Sequence, residues 1–160
     1  MALACAGGVA QATAVPVGDL QAKAAFLFNF ARFVQWSAST APLVIGVAGD
    51  AALATVVAAT VKGRTIEGRE VEVRVVNPGD DPSGCHLLHF GPLAEVDALA
   101  LLARVRGSTL TVGETPQFLR DGGMVRLFVE DQRLQFQVNR GRTAAAGLQL
   151  SSQLLSLAAK

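Results

Sequence analysis

The chain has 160 residues, enough for one hydrophobic core, and 51% of them are hydrophobic while only 17% are charged. A charged share below the usual value of about 25% excludes a disordered protein and a charged coiled coil. Because 14 basic and 13 acidic residues leave a net charge of +1, a nucleic-acid partner is not expected.

The first 18 residues differ in composition from the rest of the chain. Residues 1–14 are rich in Ala and Gly and carry no charge, and the triplets AQA and ATA within residues 10–14 fit the pattern of signal-peptide cleavage. The basic start of a signal peptide is missing, so we predict a truncated signal peptide and leader over residues 1–18. A cytosolic N-terminal tail is the alternative. Removal of the leader would remove Cys5 and leave Cys85 as the only thiol.

A long apolar helix is predicted next, from Asp19 as its N-cap to Trp36. One of its faces carries small and aliphatic residues at helical spacing, Leu20, Ala24, Leu27, Ala31 and Val34. A second row beside it is aromatic and consists of Phe26, Phe30 and Phe33. This pattern is typical of a central core helix; the alternative is a helix whose aromatic row contacts a partner.

After Pro42 the hydrophobic period alternates between that of strands and that of helices. Two β-α-β units are predicted: strand Leu43–Ala48, helix Ala51–Lys62 and strand Glu70–Val76, then strand Cys85–Phe90, helix Leu93–Arg104 and strand Thr109–Val112. A long loop leads to a β-hairpin of Met124–Glu130 and Arg133–Asn139, which turns at Asp131-Gln132, and a last helix is predicted over Thr143–Ala159. In that helix Leu150, Leu154 and Leu157 share the face expected to be buried.

These elements predict an α/β fold of three layers. Right-handed crossovers make the sheet mostly parallel, the C-terminal hairpin makes it mixed, and helices cover both faces. No linker divides residues 19–160, which we expect to form a single domain. The hydrophobic window Leu43–Val61 is assigned to a strand and a helix rather than to a membrane span, because Asp50 and two glycines interrupt it.

The residues offer little material for catalysis or metal binding. On one strand Cys85 and His89 would stand about 13 Å apart while His86 points to the other face, so a metal site is not expected. There is no G-x-S-x-G elbow, and Ser151 and Ser152 lie in the last helix without a nearby histidine. We therefore predict no catalytic residues, no metal and no cofactor.

A ligand crevice remains open as an alternative. The turns at Gly49-Asp50, Gly91 and Gly113 all follow predicted strands, and in open α/β sheets ligands bind at the carboxyl ends of the strands. Asp50 itself is predicted to cap the helix that begins at Ala51.

Four blocks of the sequence together resemble the YfiR family of exported bacterial proteins. They are KAAFLFNFARFVQW (23–36), TVGETPQF (111–118), GGM (122–124) and GLQLSSQLL (147–155), and the resemblance covers residue 20 to the end. Relatives commonly carry disulfides, one of which involves a cysteine placed like Cys85. Here its partner cysteine is missing, so the resemblance does not extend to redox control.

The resemblance implies a non-enzymatic periplasmic repressor. Such a protein binds the periplasmic sensor domain of a membrane-bound diguanylate cyclase and so controls cyclic-di-GMP signalling and biofilm formation. An outer-membrane lipoprotein can sequester such repressors, and a homodimer is also open. The alternative is a periplasmic small-ligand binding module that feeds a membrane sensor kinase.

For the repressor, we predict a partner-binding surface formed by the loop Thr115–Phe118 and the hairpin. Its residues are Phe118, Glu130, Phe136 and Gln153. The expectation depends on Phe118 and Phe136 being exposed, since an exposed aromatic residue beside an acid is typical of an interface hot spot. If this surface is wrong, the aromatic row of the first helix is the next candidate.

Overall fold

The computed structural model describes residues 17–159, which form five helices and nine strands. The helices are α1 (Val17–Arg32), α2 (Ala51–Val61), α3 (Glu95–Arg104), α4 (Arg140–Ala145) and α5 (Ser152–Leu157). The strands are β1 (Val34–Gln35), β2 (Leu43–Ala48), β3 (Thr65–Ile66), β4 (Arg69–Val76), β5 (Leu87–Phe90), β6 (Leu110–Gly113), β7 (Val125–Glu130), β8 (Arg133–Val138) and β9 (Gln149–Leu150). The predicted leader lies outside the described residues up to residue 16.

Seven of the strands form one mixed sheet in the order β3-β4-β2-β5-β6-β7-β8. The five strands from β4 to β7 run parallel to their neighbours, and β3 and β8 are antiparallel edges. The chain moves from β2 in one direction to β4 and from β5 in the other direction to β6. Right-handed crossovers in opposite directions place α2 and α3 on opposite faces of the sheet.

Alternation along β2 shows the two faces directly. Leu43, Ile45 and Val47 belong to the large core beneath α1 and α2, whereas Ala48 belongs to a smaller core beneath α3. This is the period of two expected for a strand that is buried on both sides. The predicted α/β fold of three layers, with a mostly parallel sheet and helices on both faces, is confirmed.

The first helix ends earlier than predicted. The backbone leaves the helix after Arg32, and β1 pairs antiparallel with β9, with Val34 opposite Leu150. Trp36 is therefore not helical; its indole N–H donates to the carbonyl of Ala31 at 2.7 Å. The apolar spacing extends to Trp36 because both segments face the same core.

The predicted last helix is two short helices separated by β9. Gly147, with φ of 76°, ends α4 in a conformation that favours glycine, and the Ser151 hydroxyl caps α5 by accepting from the Leu154 amide. Leu154 is buried as expected. Leu157 is not: 68% of it is exposed, because the helical register restarts at Ser151.

This packing predicts unequal effects for two neighbours on α5. Leu154→Ala should lower the free energy of unfolding by about 2–5 kcal/mol, the range for a buried leucine, while the exposed Gln153→Ala should stay within about 0.5 kcal/mol. Denaturant unfolding of both variants is the measurement. Equal effects would contradict this placement of α5 against the core.

The hydrophobic window Leu43–Val61 folds as β2, a turn and α2, as predicted. Across the described part of the chain, no helix combines the length and the apolar character that a membrane crossing needs.

Candidate functional site

An apolar groove lies between α1, α5 and β8. Its volume is about 320 Å³. Most of its lining side chains are aromatic or aliphatic: Phe26, Phe30, Phe33, Leu134, Phe136, Leu154 and Leu157, with Asn29 and Gln135 as polar members. Phe26 and Phe30 of α1, with Phe33 directly after the helix, thus form one wall, and the hairpin forms the wall opposite.

The floor of the groove is a cluster of aromatic rings, and its rim is accessible. The rings of Phe26, Phe30 and Phe136 contact one another edge to face, with centroids 5.0–6.0 Å apart. At the rim, Leu157 is largely exposed. The Arg32 guanidinium, outside the lining, stacks 4.9 Å from the centre of the Phe33 ring. An exposed apolar surface of this kind is typical of a site that binds another molecule.

The expected exposure of Phe118 is wrong. Only 5% of this residue is accessible, and its ring packs against Phe90 with centroids 5.2 Å apart. A Cβ atom built on Gly113 or Gly123 would overlap the ring, so the two glycines form its seat. Phe118 is therefore a core residue of the face beneath α3.

The other three predicted partner-binding residues have different environments. Phe136 is also buried, contrary to the expected exposure, because it faces inward from β8 toward α1, yet its ring forms part of the groove floor. Glu130 is exposed at the end of β7, next to the confirmed turn at Asp131-Gln132. Gln153 is exposed on α5. The structure places Phe136 in the groove and Phe118 on the opposite face of the sheet.

The carboxyl ends of β2, β5 and β6 form a cleft of about 490 Å³. Asp50 and Gly91 line it, and Gly91 is required there because a Cβ would lie 2.8 Å from the Ala48 carbonyl oxygen. Gly49 and Gly113 belong to the packing beneath it, against Leu93 and Phe118. Asp50 caps α2 as predicted, by accepting from the Leu53 amide at 2.9 Å.

A charged network that the sequence did not reveal lies at the edge of this cleft. Glu114, the residue after β6, accepts from Lys23 Nζ at 2.9 Å and from His89 Nε2 at 2.8 Å. His89 is fully buried, and its Nδ1 has no partner among the described residues. The available signal was a charged residue directly after a buried strand.

The network shifts the pKa values of Glu114 and Lys23. Burial alone would raise the pKa of Glu114, but the hydrogen bonds and charges of His89 and Lys23 outweigh burial and lower it. Burial alone would lower the pKa of Lys23, and the hydrogen bond and charge of Glu114 reverse this. Glu114 therefore connects α1 to the carboxyl edge of the sheet as an ionised residue.

The cysteine and the two histidines do not come together. His86 Nδ1 accepts from the Val44 amide at 3.0 Å and lies at the opposite end of β5 from His89. Burial first, and then the charge of Arg69, lower the pKa of His86. Among residues 17–159 there is no cluster of three or more His, Cys, Asp or Glu that would hold a metal ion.

Cys85 is buried, and burial raises the pKa of its thiol. It precedes β5 instead of lying in it, and its sulfur sits against Gly46, where a Cβ would be 2.6 Å away.

We expect slow alkylation of Cys85 in the native protein and rapid alkylation in denaturant, because the thiolate is the reactive species. Peptide mapping by mass spectrometry measures this at Cys85 alone. Rapid native labelling would contradict the burial.

Comparison with known proteins bears on the same stretch of chain. A search of curated proteins finds no match. The model of the YfiR/HmsC-like family, in contrast, matches residues 20–159, which include most of α1, the sheet and both walls of the groove. The match spans far more than half of the sequence, so the chain belongs to the YfiR/HmsC-like family.

Proposed function

We propose that this protein is a periplasmic repressor that binds the sensor domain of an inner-membrane diguanylate cyclase and does not itself catalyse a reaction. The family suggests a regulator of this kind. The observation that carries the proposal is the groove between α1, α5 and β8, with its floor of aromatic rings and its exposed rim. Residues 1–18 would serve as the export leader, and residues 19–160 as a single binding domain.

Leu157 provides the variant with the clearest effect. It is 68% exposed at the groove rim, so Leu157→Glu should place a charge on the binding surface without disturbing the core. We expect a loss of sensor-domain binding of at least about tenfold, as for a hot-spot residue. Val96→Glu on α3, where the side chain is 72% exposed and lines none of the described pockets, is the matched control.

The cellular readout is cyclic-di-GMP. Deletion of the gene should raise cyclic-di-GMP and biofilm formation, and wild type and Val96→Glu should restore repression while Leu157→Glu should not. If Leu157→Glu represses fully at normal protein levels, the groove is not the binding surface. If deletion leaves cyclic-di-GMP unchanged, the proposed function is wrong. Sequestration by an outer-membrane lipoprotein would appear in the same assay as release of repression.

A small-ligand module is a second candidate, favoured by one observation. The cleft at the carboxyl ends of β2, β5 and β6 lies where the crossovers diverge to opposite faces, the position at which α/β sheets bind ligands. Asp50, Gly91 and Glu114 line it. If the protein is such a module, a membrane sensor kinase would report ligand binding. Substitution of groove residues would then leave ligand binding unchanged.

A further inference from the structure

The outer edge of β8 presents backbone groups that do not pair with β7. Asn139 N donates to the Met124 carbonyl on the β7 side, whereas the Phe136 carbonyl accepts from Ala159 N on the opposite side, both at 2.7 Å. Successive residues of a strand direct their backbone groups to alternate sides. The backbone groups of Leu134 and Phe136 therefore face away from β7, at the free edge of the seven-stranded sheet.

This edge is only partly covered by the chain's own end. Ala159 occupies the Phe136 carbonyl, but within residues 17–159 no hydrogen-bond partner is seen for the N–H of Phe136 or for the N–H and carbonyl of Leu134. Proteins usually block such an edge with charges, proline or a covering segment. Here the open positions carry two apolar side chains, and the tail has already begun to pair there as an added strand would.

The same two residues form a wall of the groove. The side chains of Leu134 and Phe136 both line it, facing Phe26 on α1 and Leu157 on α5. An extended segment hydrogen-bonded to this edge would direct alternate side chains, about 7 Å apart, toward the groove. Backbone pairing and the apolar contacts therefore favour the same conformation of an occupant.

Charge restricts the occupant further. The exposed guanidinium of Arg32 lies against the ring of Phe33, which lines the groove, and no carboxylate lies within 4.0 Å of this guanidinium in the described part of the chain. A segment that carries an Asp or Glu beside its apolar residues would pair with Arg32.

We propose that the groove accepts an extended, acidic and apolar segment of the partner protein, which adds to β8 as an eighth strand. This rests on the proposed function and specifies its contact mode: main-chain hydrogen bonds to the N–H and carbonyl of Leu134 and to the N–H of Phe136 supply affinity, and alternate side chains in the groove supply specificity.

Two substitutions at one position separate backbone from side chain. Leu134→Ala and Leu134→Pro both remove the leucine side chain, but only proline removes the outward N–H. Residues 133, 135 and 137 form the backbone hydrogen bonds to β7, so these bonds remain intact in both variants. The purified sensor domain of a diguanylate cyclase from the same genome is titrated with each variant. Leu134→Pro should bind at least about tenfold more weakly than Leu134→Ala, with equal melting temperatures.

Hydrogen exchange of the wild-type complex provides a readout that does not depend on a variant. The Leu134 and Phe136 amides should exchange rapidly in the free protein and become protected when the sensor domain is bound. If the complex forms while these amides stay unprotected and the two variants bind equally, strand addition is wrong and the proposed function stands. If the wild-type protein does not bind the sensor domain at all, both strand addition and the proposed function are wrong. If the free protein is a dimer that Leu134→Pro dissociates, the occupant is a second copy and the proposal is overturned.

Discussion

Phe118→Ala is expected to lower the free energy of unfolding by about 3–5 kcal/mol, the range for truncating a buried phenylalanine. The ring fills the space between Phe90 and the seat formed by Gly113 and Gly123, so its removal leaves a cavity beneath α3. Denaturant unfolding measures the loss. Phe128→Ala is the matched control, because Phe128 is only partly buried on the outer face of the hairpin and should cost far less.

The seat of the ring gives a complementary test. Gly123→Ala adds one methyl group where the ring already lies, and overpacking of this kind should destabilise by about 1–3 kcal/mol or more. If Phe118→Ala instead changes the free energy of unfolding by less than about 0.5 kcal/mol and abolishes sensor-domain binding, Phe118 contacts the sensor domain. Its role would then not be to stabilise the core.

Glu114→Ala should cost about 1–3 kcal/mol at neutral pH, because it leaves the Lys23 ammonium and the buried His89 Nε2–H without their acceptor. Both carboxylate oxygens are engaged, one by each donor, so the loss exceeds that of a surface ion pair. Glu72→Ala, on an exposed position of β4, is the control and should stay within about 0.5 kcal/mol. Equal losses in the two variants would contradict a stabilising network.

The pH dependence of the stability difference between wild type and Glu114→Ala shows whether the Glu114 carboxylate causes that difference. Because folding lowers the pKa of Glu114, its contribution is fully present above the ordinary value of 4.5 and disappears as the pH falls through the folded pKa. The stability gap between wild type and Glu114→Ala should therefore narrow below pH 4.5. A gap that persists in acid would assign the effect to packing.

The parts of the fold that follow from local pattern were predicted well. The run Leu43–Ala48 is β2 with the predicted bounds, and Asp50 caps α2, because a β-branched run followed by a Gly-Asp turn permits little else. The C-terminal segment was not predicted, since its leucine spacing continues across Gly147 and Ser151, which break the helix. Helical periodicity in the sequence does not show where one helix ends and a second helix begins in a new register.

The candidate site was only half visible in the sequence. The aromatic row of the first helix was predicted to be either core or a contact surface. Phe30 is buried in the core, and Phe26, Phe30 and Phe33 all line the groove. The opposite wall comes from Leu134 and Phe136, about a hundred residues further along the chain, and only the sheet order brings it there. Lys23 and Glu114, 91 residues apart, are joined for the same reason.

Site-specific photo-crosslinking in intact cells tests the central claim most directly. A photoreactive amino acid at position 157 lies at the groove rim, and the same amino acid at position 96 lies on α3, away from it. The account predicts a crosslink from position 157, and none from position 96, to a membrane protein that mass spectrometry identifies as a diguanylate cyclase, with the crosslinked peptide in its periplasmic domain. A crosslink to that domain from position 96 alone, or no crosslink from position 157 in cells that show repression, would contradict it.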